Sequence, residues 1–211
     1  MVRSVYEGEN WEFPFVIYKP DKMENGLPLI IQLHGAGEAG EGGEDLVKVD
    51  KFGFSNMLLS GEEFPCVFVM PQCGKDSFWV AEIQRIYAFV QKIIREHNID
   101  ENRVYLTGLS MGGYGTWYTA LRYPNMFAAI APICGGGMVW KAGVLRMPIW
   151  AFHGTEDATV SVSETINMIR KIRNVGVNND VKMTLLDGVK HDAWNYAYNP
   201  QLVDWMLSKS K

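Results

Sequence analysis

Gly108-Leu109-Ser110-Met111-Gly112 is a G-x-S-x-G pentapeptide set between two contrasting stretches. Val104-Tyr105-Leu106-Thr107 before it is β-branched and aromatic and reads as a strand. Gly113-Tyr114-Gly115-Thr116-Trp117-Tyr118-Thr119-Ala120-Leu121-Arg122 after it reads as a helix ending before Pro124. A sharp strand-to-helix turn would hold Ser110 in a strained conformation with its hydroxyl lifted above the sheet edge. Side chains at 108 and 112 would collide with the adjacent strand and helix, which explains the glycines. The same turn leaves the Met111 N–H at a helix N-terminus, where it can stabilise a developing oxyanion.

Outward from this turn, short apolar runs alternate with helical patterns. Strands are expected at 13–19, 28–33, 66–70, 103–107, 127–133, 148–152 and 181–186. Pro14 suggests that the first lies at an edge, and the last alternates enough to lie near the other edge. Residues 21–26 form a polar turn, and 36–44 a glycine- and glutamate-rich loop. Residues 45–60 read as a weak helix interrupted by Gly53. A long amphipathic helix is expected over 79–97, with Ile83, Ile86, Tyr87, Val90, Ile93 and Ile94 on its apolar face. Ser161-Val162-Ser163-Glu164 has the form of a capping box opening a helix to about Val175, closed by Gly176. A closing helix spans 199–208, with Pro200 in its first turn. Alternation of this kind predicts an α/β fold with a mostly parallel central sheet, helices on both faces and a single domain over 1–211. In such sheets ligands bind beyond the carboxyl ends of the strands.

Composition narrows the function classes. A chain of 211 residues, 47% of them hydrophobic, suffices for one substantial core. The net charge of −4 comes with both signs interspersed and no basic run, which speaks against a nucleic-acid partner. No apolar run is long enough for a membrane span. Residues 1–10 lack a signal-peptide pattern, so the chain reads as cytoplasmic, or as secreted with its leader removed. Cys66, Cys73 and Cys134 form no disulfide framework and no metal-ligand spacing; Cys66 and Cys134 read as small buried hydrophobes.

A serine hydroxyl needs a base, and the chain offers four histidines. His97 lies at the polar end of a helix and reads as a solvated imidazole. His34 and His153 each end a strand before a glycine and read as ties between loops. His191 stands in a loop after the last strand, from which a base can reach over the sheet edge. The base in turn needs an acid. Asp157 follows the strand ending at His153-Gly154, giving the order Ser110, Asp157, His191; Glu156 and Asp187 remain alternatives. Glu164 is assigned to the capping box. Leu33-His34-Gly35-Ala36-Gly37 lets the backbone approach a substrate, with the Ala36 N–H as second oxyanion donor beside Met111.

These stretches together resemble the α/β-hydrolase superfamily. They are Leu33-His34-Gly35-Ala36-Gly37-Glu38, the Ser110 pentapeptide running on to Trp117, His153 to Val160, and Lys190-His191-Asp192-Ala193-Trp194. More narrowly, they resemble the phospholipase/carboxylesterase, polyhydroxybutyrate depolymerase and feruloyl/acetylxylan esterase group. The resemblance covers roughly residues 28–205 and implies Ser110 as nucleophile, His191 as base, Asp157 as acid, and Ala36 and Met111 as oxyanion donors. It implies no metal and no cofactor. Only residues 136–146 separate two core strands where family lids are inserted, so no large lid is expected. An open site favours short-acyl or aryl esters, feruloyl or acetyl esters of carbohydrates among them. Trp79 and Trp194 are candidate walls of the substrate site or packing residues, Glu38 and Trp140 candidate rim contacts, and Trp117 a core residue. Action on small peptides or activated amides is the alternative chemistry. A non-catalytic binding protein on the same fold is the alternative class.

Overall fold

The computed structural model describes residues 1–8, 11–22 and 26–211. Glu9 and Asn10 of the N-terminal reading, and the middle of the turn expected at 21–26, lie outside the described residues. Eight strands form one sheet: β1 Val2–Tyr6, β2 Phe15–Lys19, β3 Leu27–Leu33, β4 Val67–Pro71, β5 Ile99–Leu109, β6 Ala129–Ile133, β7 Ile149–Gly154 and β8 Val181–Leu186. The helices are α1 Phe54–Leu59, α2 Ile83–Glu96, α3 Met111–Arg122, α4 Ser163–Val175, α5 Trp194–Ala197 and α6 Pro200–Leu207. Short 3₁₀ segments cover Ala36–Glu38, Gly43–Asp50 and Val139–Val144. No helix among the described residues is long and apolar enough to cross a membrane.

The strand order is β1-β2-β4-β3-β5-β6-β7-β8, with β1 and β2 antiparallel to their neighbours and the rest parallel. Central strands such as β3 and β4 are buried throughout, as parallel strands covered on both faces must be. Alternation along β3 sends Leu29, Ile31 and Leu33 to one face, where they meet α2, α3 and α4. Ile30 points to the other, which is covered by α1, α5, α6 and the 3₁₀ segment Gly43–Asp50. After β3 the chain adds β4 on one side and β5 on the other. The switch point therefore falls between β3 and β5, and the crevice at their carboxyl ends is where this fold receives ligands.

Several expectations need correction. The edge is β1, which the sequence reading had not taken as a strand; β2 lies inside it, and Pro14 precedes β2 with its carbonyl accepting from the Gln72 N–H at 2.7 Å. The missing proline N–H thus costs no ladder bond. α2 begins at Ile83 rather than 79, and Trp79 lies in the turn before it. Tyr87 faces solvent and stacks on Tyr123 at 4.4 Å, while Phe89 takes the inner face against Phe13 and Phe15. The capping box does not form. α4 starts at Ser163 with Val162 as its cap, so Ser161 stands one residue too early, and the Glu164 carboxylate lies against Gly136 instead. His97 is half-buried, with its Nε2 out of contact with solvent and an edge contact to Tyr6, rather than a solvated imidazole. Other readings hold: Gly176 closes α4 at φ 70°, Gly53 breaks the 45–60 helix at φ 90°, and β8 is the second edge. All three cysteines are free and buried.

Candidate active site

β5 ends in a turn whose sterics fix everything around it. Ser110 sits at φ 54°, a left-handed conformation that costs of order 1–3 kcal/mol for a residue with a side chain. Packing enforces it. A Cβ on Gly108 would lie 2.3 Å from the Gly112 carbonyl oxygen, and one on Gly112 only 2.1 Å from that of Leu33. The first turn of α3 is therefore pressed directly onto the loop leaving β3. The Ser110 N–H is anchored to the Ile133 carbonyl at 2.9 Å.

The Ser110 hydroxyl donates to Nε2 of His191 at 2.8 Å, and Nδ1–H of His191 donates to Oδ2 of Asp157 at 2.6 Å. Three residues from three separate strand ends thus form one hydrogen-bonded line. Oδ1 of Asp157 accepts from the N–H groups of Thr159 at 2.9 Å and Val160 at 2.8 Å. Burial pushes the Asp157 carboxyl up, but the His191 hydrogen bond and the two amides outweigh it and hold the carboxyl below its ordinary range. Asp157 is thus anionic at neutral pH and selects the His191 tautomer that leaves Nε2 free to accept the serine proton. The alternative acids stand elsewhere: Glu156 is exposed, and among the described residues Asp187 accepts only from the Thr155 hydroxyl at 3.4 Å. Gly154 lets the base loop close, since a Cβ there would meet the Val189 carbonyl oxygen at 2.2 Å.

The loop after β3 faces Ser110; a Cβ on Gly35 would lie 3.7 Å from the Cβ of Ser110. Three buried side chains hold this loop. His34 donates from Nδ1 to the Gly35 carbonyl at 2.6 Å and accepts at Nε2 from the Cys73 N–H at 2.9 Å. Burial pushes its pKa down to about 4, so it stays neutral, as a tie between loops. Trp79 donates its indole N–H to the His34 carbonyl at 2.9 Å. Glu38 accepts the Gly35 N–H at 3.0 Å, and its own carbonyl accepts from Gln72 at 3.0 Å. With the Gly35 N–H occupied, the next amide along is that of Ala36. Among the described residues, neither the Ala36 N–H nor the Met111 N–H donates to a protein acceptor. Each opens a helical segment, where backbone N–H groups attract negative charge.

Not every candidate substrate contact survives. Trp79 is wholly buried, packed against Gly115 of α3 and the His34 ring, so it is a support of the loop and not a wall. Glu38 is likewise buried under the loop and not a rim contact. Trp194 stands edge-on to the His191 ring at 5.2 Å and meets the Phe52 ring at 6.0 Å. Trp140 is 75% exposed on the 3₁₀ segment after β6. Trp117 is in the core.

Two neighbours of Asp157 escaped the sequence reading in this role. His153 brings Nε2 to 3.3 Å from Oδ2 of Asp157, and Cys134, at φ 48°, has its thiol in the same cluster. Burial pushes the Cys134 thiol up to about 12, so it is neutral. Cys134, Asp157 and His191 present donor atoms within 4.8 Å of one another. The 2.6 Å contact between Nδ1 and Oδ2 is a hydrogen bond, however, whereas two ligands of a tetrahedral zinc stand about 3.3 Å apart. The only sequence signal for His153 was its place four residues before Asp157 at a strand end.

A mostly parallel sheet switching direction at β3 and β5, with a strained serine at the end of β5 and an imidazole arriving after the last strand, is the α/β-hydrolase fold. The chain belongs to the phospholipase/carboxylesterase family, whose model matches residues 14–199. It is 28% identical over 169 residues to a bifunctional acetylxylan esterase/xylanase of Neocallimastix patriciarum, covering 75% of this chain and 23% of that protein. It is 33% identical over 232 residues to poly(3-hydroxyalkanoate) depolymerase C of Paucimonas lemoignei, covering 88% of this chain and 54% of that one. The chain thus spans about a quarter and about half of these relatives. Among solved structures, a thermostable esterase superimposes with a TM-score of 0.82 at 28% identity, over 100% of this chain and 63% of the other.

Proposed function

We propose that this chain is a serine carboxylesterase that hydrolyses short-acyl or aryl esters, acetyl or feruloyl esters of carbohydrates among them. Ser110 attacks the ester carbonyl while His191 takes its proton, and Asp157 stabilises the resulting imidazolium. The N–H groups of Ala36 and Met111 hold the tetrahedral oxyanion. His191 then protonates the departing alcohol, leaving an acyl group on Ser110. A water deprotonated by His191 attacks that acyl-enzyme, releasing the acid and restoring the serine. Trp194 forms a wall beside the base.

The observation that carries this reading is the unbroken line from Ser110 through His191 to Asp157, at 2.8 and 2.6 Å. Family membership and the esterase relatives support the ester as substrate class. Ser110→Ala should abolish measurable turnover of p-nitrophenyl acetate without lowering the melting temperature. Retained turnover rejects the assignment. Parallel assay of a peptide p-nitroanilide tests the ester preference, with turnover expected on the ester and not on the amide.

A further inference from the structure

We infer that His153 is a positioning residue for this reaction: its Nε2–H donates to the Val160 carbonyl with the Asp157 carboxylate 3.3 Å away, and so fixes the acid that orients His191. The inference rests on the proposed roles of Ser110, His191 and Asp157. The His153 side chain is fully buried at the end of β7. Its Nε2 faces two groups that can only accept, the Val160 carbonyl at 2.9 Å and Oδ2 of Asp157 at 3.3 Å, so this nitrogen carries a hydrogen. Its Nδ1 lies 2.8 Å from the Thr165 hydroxyl at the start of α4. That hydroxyl also lies 3.0 Å from the Gly135 carbonyl, and its single proton can serve only one of the two. In the neutral ring, which burial favours, the Thr165 proton goes to Nδ1.

The consequences follow from the loop. Val160, whose carbonyl accepts from His153, gives its own N–H to Oδ1 of Asp157. The ring therefore clamps the 157–160 turn from within, while Oδ2 lies between two imidazoles, at 2.6 Å from His191 and 3.3 Å from His153. The polarised Nε2–H of His153, 3.3 Å away, stabilises the charge on that oxygen. Without it, Asp157 becomes more basic and holds the imidazolium formed during the reaction more tightly, which the acid limb of the pH–rate profile reports. The other titratable groups around the acid and the second imidazole are the Cys134 thiol at the end of β6, the Tyr114 hydroxyl on α3 and Glu164 on α4. The first two stay neutral at working pH because burial raises both.

The test combines kinetics with a measurement on the unaltered protein. His153→Met, which fills the site but cannot donate, should lower kcat for p-nitrophenyl acetate about tenfold with little change in KM. It should also move the acid limb of the kcat/KM profile up by about half a pH unit. His153→Gln, which can present an N–H where Nε2 now stands, should recover most of both effects. An unshifted acid limb in His153→Met, or equal losses in the two variants, overturns the inference while leaving the esterase reading standing. Should His153→Met fail to fold, a long-range ¹H–¹⁵N spectrum of the wild-type histidines still decides. Protonated Nε2 with bare Nδ1 is expected at neutral pH, and the opposite tautomer overturns the inference whether or not the protein turns over esters.

Discussion

Asp157 and His34 are two buried ionisable groups held in opposite charge states. For Asp157 the three hydrogen bonds that orient it also stabilise its charge. Replacing it with Asn keeps the volume but offers His191 an amide in place of an anion, and the ring then takes the wrong tautomer. Asp157→Asn should lower kcat for p-nitrophenyl acetate by roughly 10⁴-fold with the fold intact, measured beside a thermal melt. His34 is the converse. Burial lowers its folded-state pKa to about 4, so between that value and the ordinary 6.5 the unfolded chain holds the extra proton. Stability is then lost as pH falls through this window. Burial lowers His97 and His153 in the same direction. Melting temperatures measured between pH 6.5 and 4 should fall more steeply for wild type than for His34→Asn, which takes up no proton; parallel slopes would refute the account.

At the scale of elements, the site depends on short segments that have little structure of their own. The turn at Ala36–Glu38 keeps its shape because Glu38 caps it from below and Gln72 ties it to the end of β4. Glu38→Ala frees the Gly35 N–H and loosens the amide of Ala36. kcat should drop about ten- to a hundredfold while KM barely changes, because the loss falls on the oxyanion. Glu38→Gln retains a carbonyl oxygen for Gly35 and should stay near wild type. Trp79 shows why the sequence left wall and packing residue undecided. An indole at a strand's carboxyl end looks like a substrate wall, and only the packing of α3, with Gly115 directly against it, shows that the ring lies beneath the loop. The failed capping box has a similar cause: Ser161-x-x-Glu164 has the right spacing, but α4 takes Val162 as its cap, one residue later than the box requires.

Across the whole molecule, function and stability separate along the sheet. The site lies at the carboxyl ends of β3 and β5, whereas β1 lies three strands away from β3, at the edge. There Arg3 gives two hydrogen bonds to Oδ2 of Asp50, at 2.9 and 2.6 Å, and the Tyr18 hydroxyl occupies Oδ1 at 2.7 Å. Asp50 is only 8% exposed, so Arg3→Ala leaves a buried carboxylate half satisfied and should cost about 1–3 kcal/mol in urea unfolding. kcat/KM should be unchanged, because the loss lies remote from the crevice. A fall in kcat/KM at constant fold would show that the edge and the site are coupled.

The alternation of core strands and helices from β2 onward, the strained serine turn and the choice of Ser110, His191 and Asp157 were legible in the sequence. Each rests on a local demand: apolar period, turn sterics, or a strand end that leaves a polar residue nowhere else to go. The pairing of β1 on β2, the burial of Glu38 and Trp79 beneath the loop, and the approach of His153 to Asp157 were decided only by tertiary structure. β1 pairs on backbone hydrogen bonds that carry little side-chain signature, and the buried contacts join residues from separate elements. Whether such a side chain is wall, support or neighbour of the acid depends on which surfaces the fold closes over it.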